Sequence, residues 1–207
     1  MPLLTPPLIS PHPGRTPLVD QTGIAPDESL PLSQRLLGRI RDVPDFPQEG
    51  IVFKDITPLL ADPGAFSDLV DALADLAVRQ GATAVAGLEA RGFILAAPVA
   101  LKAGLGFVPV RKAGKLPGPT LAQSYALEYG TAEIEVQRDA FAPGSRVLVV
   151  DDVLATGGTL EASIRLIRDA GAQVVAVGLL MELGFLGGRD RLHPTLDGVP
   201  MEAVITL

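Results

Sequence analysis

With 207 residues, 47% of them hydrophobic, the chain is long enough for one sizeable core and too apolar to be largely disordered. Aromatic residues make up only 4%, Trp is absent and the formal net charge is −7, which argues against a stacking platform for single-stranded nucleic acid and against an anionic membrane as partner. There is no Cys and there are only two His, His12 and His193, so disulfides, thiol nucleophiles and Cys- or His-rich metal sites are excluded and chemistry falls to carboxylates, Lys, Arg, hydroxyls and backbone amides.

Residues 1–30 read as an extension. Eight Pro fall in the first 31 positions, with no helical or alternating period, which predicts extended or irregular and partly disordered backbone. Pro2, Pro6, Pro7, Pro11 and Pro13 interrupt every apolar stretch there, so no signal peptide is expected, and no apolar run in the chain reaches the length of a membrane span. The cytoplasm is the expected compartment. The folded domain is placed at 31–207.

Leu32, Leu36, Leu37 and Ile40 fit one helical face, and Pro44 and Pro47 stop that helix. Ile51 to Phe53 is a short strand candidate. Phe66 to Val78 is an amphipathic helix, Ala82 to Leu88 a strand, and Phe93 to Lys102 a helix that Gly104 ends. Phe107 to Val110 is a strand in which Pro109 marks an edge or an irregularity. Ser124 to Tyr129 and Ala132 to Gln137 flank Gly130 as a hairpin. Arg146 to Val150 is the central strand and Leu160 to Ala170 the helix after it; Gln173 to Leu180 and Glu202 to Leu207 are the last strands. Strands alternating with helices imply an α/β fold, a parallel sheet flanked by helices on both faces.

One stretch concentrates the chemistry. Val147-Leu-Val-Val-Asp-Asp-Val-Leu-Ala-Thr-Gly-Gly-Thr159 is a Val-rich strand, an acid pair, and a glycine-bearing loop leading into a helix. Free amides and the helix dipole at such a junction attract an anion. Two carboxylates beside it are otherwise unfavourable, and sugar hydroxyls or a bound cation would explain them. Taken in pieces, the strand could be any buried strand and Gly157-Gly158 only a turn. As a whole, the string resembles the 5-phosphoribosyl-1-pyrophosphate (PRPP) signature of the type I phosphoribosyltransferases.

Three further stretches resemble the adenine-specific branch of that family, in order from about Phe46 to Leu183. They are Phe46-Pro-Gln-Glu-Gly-Ile-Val-Phe-Lys-Asp-Ile-Thr-Pro58; Gly87-Leu-Glu-Ala-Arg-Gly-Phe93; and Arg111-Lys-Ala-Gly-Lys-Leu-Pro-Gly-Pro-Thr120 with Tyr125-Ala-Leu-Glu-Tyr-Gly130. The resemblance implies a type I phosphoribosyltransferase-like fold with a small N-terminal hood at about 44–60 and a mobile hairpin loop at about 111–137. It implies transfer of the phosphoribosyl group from PRPP to adenine, giving AMP and pyrophosphate, with Mg²⁺ carried mainly by PRPP and pyrophosphate rather than by direct protein ligands. A homodimer is implied as well.

Site roles follow by the same resemblance. Ala155, Thr156, Gly157, Gly158 and Thr159 would hold the 5-phosphate, and Asp151 and Asp152 the ribose hydroxyls. Arg91, Arg111, Lys112 and Lys115 would hold pyrophosphate. Val52, Phe53, Lys54 and Leu183 would form the adenine site, Phe53 and Leu183 from opposite sides. Glu128 and Tyr129 would be catalytic, Glu128 as acid–base. Lys54 stands where many relatives carry Arg, which keeps a cation but loses the planar fork.

The residues also admit blander roles. Arg91 could be a surface side chain paired with Glu89, the basic cluster a solvated loop, and Phe53 and Leu183 core. Two other functions are weighed. A sister enzyme acting on xanthine or hypoxanthine would share the phosphate loop, but the hood and Leu127-Glu-Tyr-Gly130 argue against it. A non-catalytic PRPP-sensing regulator would need a nucleic-acid-binding element, for which the chain has neither charge nor room.

Deleting residues 2–29 should leave activity and the thermal transition nearly unchanged, because the proline pattern offers no core face; loss of cooperative melting would give that segment a structural role.

Overall fold

The Val- and Ala-rich runs become the parallel part of a seven-stranded sheet. In the computed structural model, which describes residues 29–126 and 130–207, these runs are β3 (Ala84–Leu88), β4 (Gly106–Lys112), β7 (Arg146–Leu154), β8 (Gln173–Glu182) and β9 (Met201–Thr206). They lie in the order β4-β3-β7-β8-β9, with every neighbouring pair parallel. An antiparallel hairpin, β5 (Thr120–Ala126) and β6 (Thr131–Gln137), extends the sheet beyond β4. Residues 1–28 and 127–129, Glu128 and Tyr129 among them, lie outside the described residues.

Helices cover both faces, so the central strands carry apolar side chains on both sides. Val147 and Val149 of β7 face one core with Ile164, Leu166 and Ile167 of α5 (Gly158–Asp169). Leu148 and Val150 face a second core with Leu73 of α3 (Pro63–Arg79) and Leu95 and Val99 of α4 (Arg91–Ala103). Before these helices come α1 (Leu32–Leu37) and α2 (Thr57–Ala61); α6 (Gly188–Leu196) lies between β8 and β9. Asp62 caps α3 by accepting from the amides of Gly64 and Ala65 at 2.9 and 3.1 Å, with Pro63 in the first turn, where a missing N–H costs nothing.

Strand order fixes where a ligand can sit. From β3 the chain crosses through α4 to β4 on one side; from β7 it crosses through α5 to β8 on the other. The crossovers diverge between β3 and β7, which opens a crevice at the carboxyl ends of those two strands. Above it stands a two-stranded antiparallel hood, β1 (Arg41–Pro44) and β2 (Val52–Asp55), whose Phe46 and Phe53 rings meet edge to face at 5.2 Å.

Elements and expectations can be compared one by one. β7 runs on to Leu154, so Asp151 and Asp152 lie inside the strand rather than at its end. The edge expected at Pro109 is there, although β4 has neighbours on both sides. β6 pairs with β4 only at Arg111 and Lys112, and because Val110 turns its carbonyl toward β3, Pro109 faces the open side. The hood strand β1 and the helix α2 were not anticipated; β1 is short and mostly exposed, and its order comes from pairing with β2. Nor was α6, whose polar sequence and internal Pro194 mask the period that buries Leu192 and Leu196.

Candidate active site

The site forms where the switch point predicts it. A pocket of about 350 Å³ is lined by Glu89, Ala90 and Arg91 from the end of β3 and by the unbroken stretch from Asp151 to Leu160. The loop after β7 turns at Gly157, with φ 82°, and α5 starts at Gly158. The first amides of this helix have no intrahelical acceptor and point, with the positive end of the helix dipole, into the pocket mouth. All five residues expected to hold the 5-phosphate, Ala155 to Thr159, line this pocket together with both acids and Arg91.

The loop is packed more tightly than a surface loop. Gly157 and Gly158 are buried against α6. A Cβ on Gly157 would meet the Gly188 carbonyl at 3.0 Å and Leu192 at 3.3 Å, while one on Gly188 would lie 2.2 Å from the Ala155 carbonyl. Two glycines thus let two backbones interlock where no side chain fits.

The acids and Arg91 form one electrostatic unit. Asp152 is 5% exposed and its carboxylate meets Nε of Arg91 at 2.6 Å. Asp151 lies against the start of α4, where a Cβ on Gly92 would come within 2.8 Å of its Oδ1. Burial, and then repulsion from Asp152, push the Asp151 carboxyl well above the ordinary carboxylate range. Burial raises Asp152 as well, against the opposing pull of Arg91. Arg91 therefore pairs with Asp152 and not with Glu89, and its guanidinium also lies 5.0 Å from the centre of the Phe53 ring. In this way the hood and the acid pair meet at one residue, Arg91.

Glu89 serves the basic loop instead. It accepts from Nε of Arg111 at 3.2 Å and from the backbone amide of Lys112 at 3.1 Å. Burial would raise its carboxyl, but these two donors outweigh that and hold it below the ordinary range. Arg111 also donates to the Lys115 carbonyl at 3.0 Å, which ties the basic segment to itself. Of the expected pyrophosphate group, Arg91 lines the pocket and Arg111 is bonded to a lining residue, while Lys112 and Lys115 are exposed on the adjoining segment.

None of the four expected adenine residues lines this pocket, but two of them contact residues that do. Phe53 stacks on Arg91, and Leu183 donates its amide to the carbonyl of Leu154 at 2.9 Å; both partners line the pocket. Val52 is half exposed on the hood strand. The ammonium of Lys54 is held by Asp42 at 2.7 Å across the β1–β2 register, so in this state it braces the hood. Glu128 and Tyr129 lie outside the described residues. Sequence reading missed Glu89, seen there only as a partner for Arg91, and missed Gly188. The Gly187-Gly188 step ahead of α6 was the available signal for the latter.

Fold and site together define a class: a parallel α/β scaffold that holds a phosphorylated sugar at its switch point. A family model described as "Phosphoribosyl transferase domain" matches residues 60–195. The adenine phosphoribosyltransferase of Streptomyces coelicolor is 68% identical over 180 residues, covering 87% of this chain and 99% of that protein. The crystal structure of adenine phosphoribosyltransferase from Rhodothermus marinus superposes with a TM-score of 0.79 at 51% identity, over 85% of this chain and 98% of that one. That from Saccharomyces cerevisiae, complexed with an imino-altritol bisphosphate and adenine, gives 0.77 at 38% identity over 84% and 98%. The chain belongs to the phosphoribosyltransferases and, within them, to the adenine phosphoribosyltransferase family.

Two outcomes follow from the geometry. The folded protein holds the Asp151 proton more tightly than the unfolded chain, so ionisation of Asp151 costs stability. That cost sets in as pH rises above the unfolded value of about 4 and grows until the raised folded value is passed. Asp151→Asn should therefore make the unliganded protein more stable at pH 8 and flatten this dependence, while weakening PRPP binding; urea titrations at several pH values check it, and a less stable variant at pH 8 contradicts it. Gly157→Val should abolish AMP binding and, because the φ is unfavourable and Gly188 blocks the space, also destabilise the fold by about 1–3 kcal/mol. Normal AMP titration by the variant would remove this loop from the phosphate site.

Proposed function

We propose that this chain transfers the 5-phosphoribosyl group from PRPP to adenine, forming AMP and releasing pyrophosphate. The observation that carries the reading is the single pocket in which a helix N-terminus, two buried carboxylates and an arginine line up across the β3–β7 switch point. The relatives named above, with a purine-site hood in the same order along the chain, support adenine as the base.

Each part has a task in this reading. The amides from Ala155 to Thr159 hold the 5-phosphate and fix one end of the sugar. Asp151 and Asp152 accept hydrogen bonds from the 2- and 3-hydroxyls and place negative charge near a C1 that becomes cationic. Binding at both ends aligns the base N9 with C1 opposite the pyrophosphate oxygen, so that the N9–C1 bond forms as the C1–O bond breaks. Arg91 and Arg111, with Lys112 and Lys115, hold the departing pyrophosphate as its charge grows. Glu128 works beside the base and ribose as acid–base, next to Tyr129. No covalent enzyme intermediate is needed.

Mg²⁺ fits the donor set as a companion of the substrate. Among the described residues no group of three or more His, Asp or Glu converges to hold an ion, and the pocket offers one acid pair. The ion would take most of its oxygens from PRPP and pyrophosphate and neutralise their charge. The mobile loop at about 111–137 would close over pyrophosphate, the hood at about 44–60 over adenine. We place the protein in the cytoplasm as a homodimer. No helix of the described residues is long and apolar enough to cross a membrane, and Ile94 and Leu101, two turns apart on α4, are exposed apolar groups that a second copy would cover.

With PRPP and Mg²⁺, adenine should release pyrophosphate well above guanine, hypoxanthine, xanthine or orotate; equal or greater release with xanthine or orotate would overturn the base assignment.

A further inference from the structure

Outside the pocket, the most fully engaged ion pair joins Glu182 to Arg189. Glu182 ends β8 and is 5% exposed; Arg189 lies in the first turn of α6. Nε of Arg189 donates to both carboxylate oxygens, at 2.9 and 3.0 Å, and a terminal nitrogen adds a further bond to the same group. The other terminal nitrogen donates to the carbonyl of Met201 on β9 at 3.3 Å. One guanidinium thus fixes the start of α6 to two strands of the sheet.

The neighbours of this pair in the chain are what give it a role. Gly188 precedes Arg189 and interlocks with Ala155 and Gly157, the back of the phosphate loop. Leu183 follows Glu182 and is bonded to Leu154, the residue from which that loop departs. A shift of α6 therefore moves the loop's support, and a shift of the β8 end moves the base-side wall. Arg91, Glu89 and Arg111 have their hydrogen bonds and ion pairs elsewhere: Arg91 with Asp152, and Arg111 with Glu89 and the Lys115 carbonyl.

We propose that Glu182 and Arg189 are positioning residues, which set the 5-phosphate loop through Gly188 and hold it in register with Leu183. This rests on the reading of the Ala155–Thr159 loop as the phosphate cradle. The pair touches no substrate. It acts by presenting one backbone, at fixed height, to another.

The test uses the full chain and three probes: ribose 5-phosphate, AMP and pyrophosphate. Replacing both partners with apolar residues, Glu182→Met with Arg189→Met, leaves no unpaired buried charge and is often tolerated by a fold. This double variant should melt near the parent temperature and bind ribose 5-phosphate and AMP about 10–100-fold more weakly, the size of effect that supporting residues exert around metal sites. Its affinity for pyrophosphate should be unchanged. Arg189→Lys keeps the charge without the fork, and should show the same pattern at smaller amplitude; it carries the test alone if the double variant does not fold. Parental affinity for ribose 5-phosphate, or equal loss for all three probes, overturns the proposal. Failure of the parent protein itself to bind ribose 5-phosphate would instead remove the cradle reading on which it rests.

Discussion

The rest of the site depends on one electrostatic constraint: two adjacent carboxylates, Asp152 buried and Asp151 half-buried, lie within a few residues of a helix start whose free amides favour an anion. Burial raises both acids, and Arg91 is drawn onto Asp152 to compensate. Such an arrangement stabilises a fold weakly at best, since desolvation offsets most of the attraction. It makes physical sense when a polyhydroxyl sugar supplies the missing donors and a multiply charged leaving group recruits the cation. The acids and the phosphate amides then act on opposite ends of one ligand.

The cations of the site are pre-engaged in the same way. Arg91 is held by Asp152 and Arg111 by Glu89, so neither is loose in solvent. These contacts cut the rotamer freedom that a ligand must otherwise remove. They also set the cost of rearrangement. An anionic ligand would have to share or replace a carboxylate to use either guanidinium in full. Lys112 and Lys115 sit on the segment that leads from Arg111 into the hairpin, outside the pocket lining, and are the groups that closure would add.

How much of this could be read from the chain depends on the range of the physics involved. β7 was legible because a strand buried on both faces must be apolar at every position, and α3 and α4 because their burial has a clear period. The pocket-lining loop after β7 was legible because a helix start with free amides in a crevice needs small residues in a fixed local order. Pairing across distant segments was not. Nothing local distinguishes Glu89 from Asp152 as the partner of Arg91; the choice is made by β3 and β7 lying side by side. The tie between Lys54 and Asp42 is likewise set by the β1–β2 register. α6 was invisible because its helix is mostly solvent-facing and contains Pro194, so its identity rests on what it touches.

That last point bears on how the loop obtains its precision. A phosphate cradle made of backbone amides cannot correct its own geometry, since it has no side chains to adjust. Its shape must come from beneath, and here the support is another backbone, admitted to contact distance because positions 157 and 188 carry no Cβ. Contact of this kind is stiff: displacement by a few tenths of an ångström meets repulsion in one direction and lost packing in the other. The stiffness is useful only if the supporting helix is itself fixed to the sheet that carries Asp151 and Asp152. Leu192 and Leu196 bury one side of α6 in the same core as Val147 and Val149, which ties the loop's floor to the strand bearing the acids. The loop and the acid pair are thereby held in one frame, to which Arg91 joins the hood and Glu89 the basic segment.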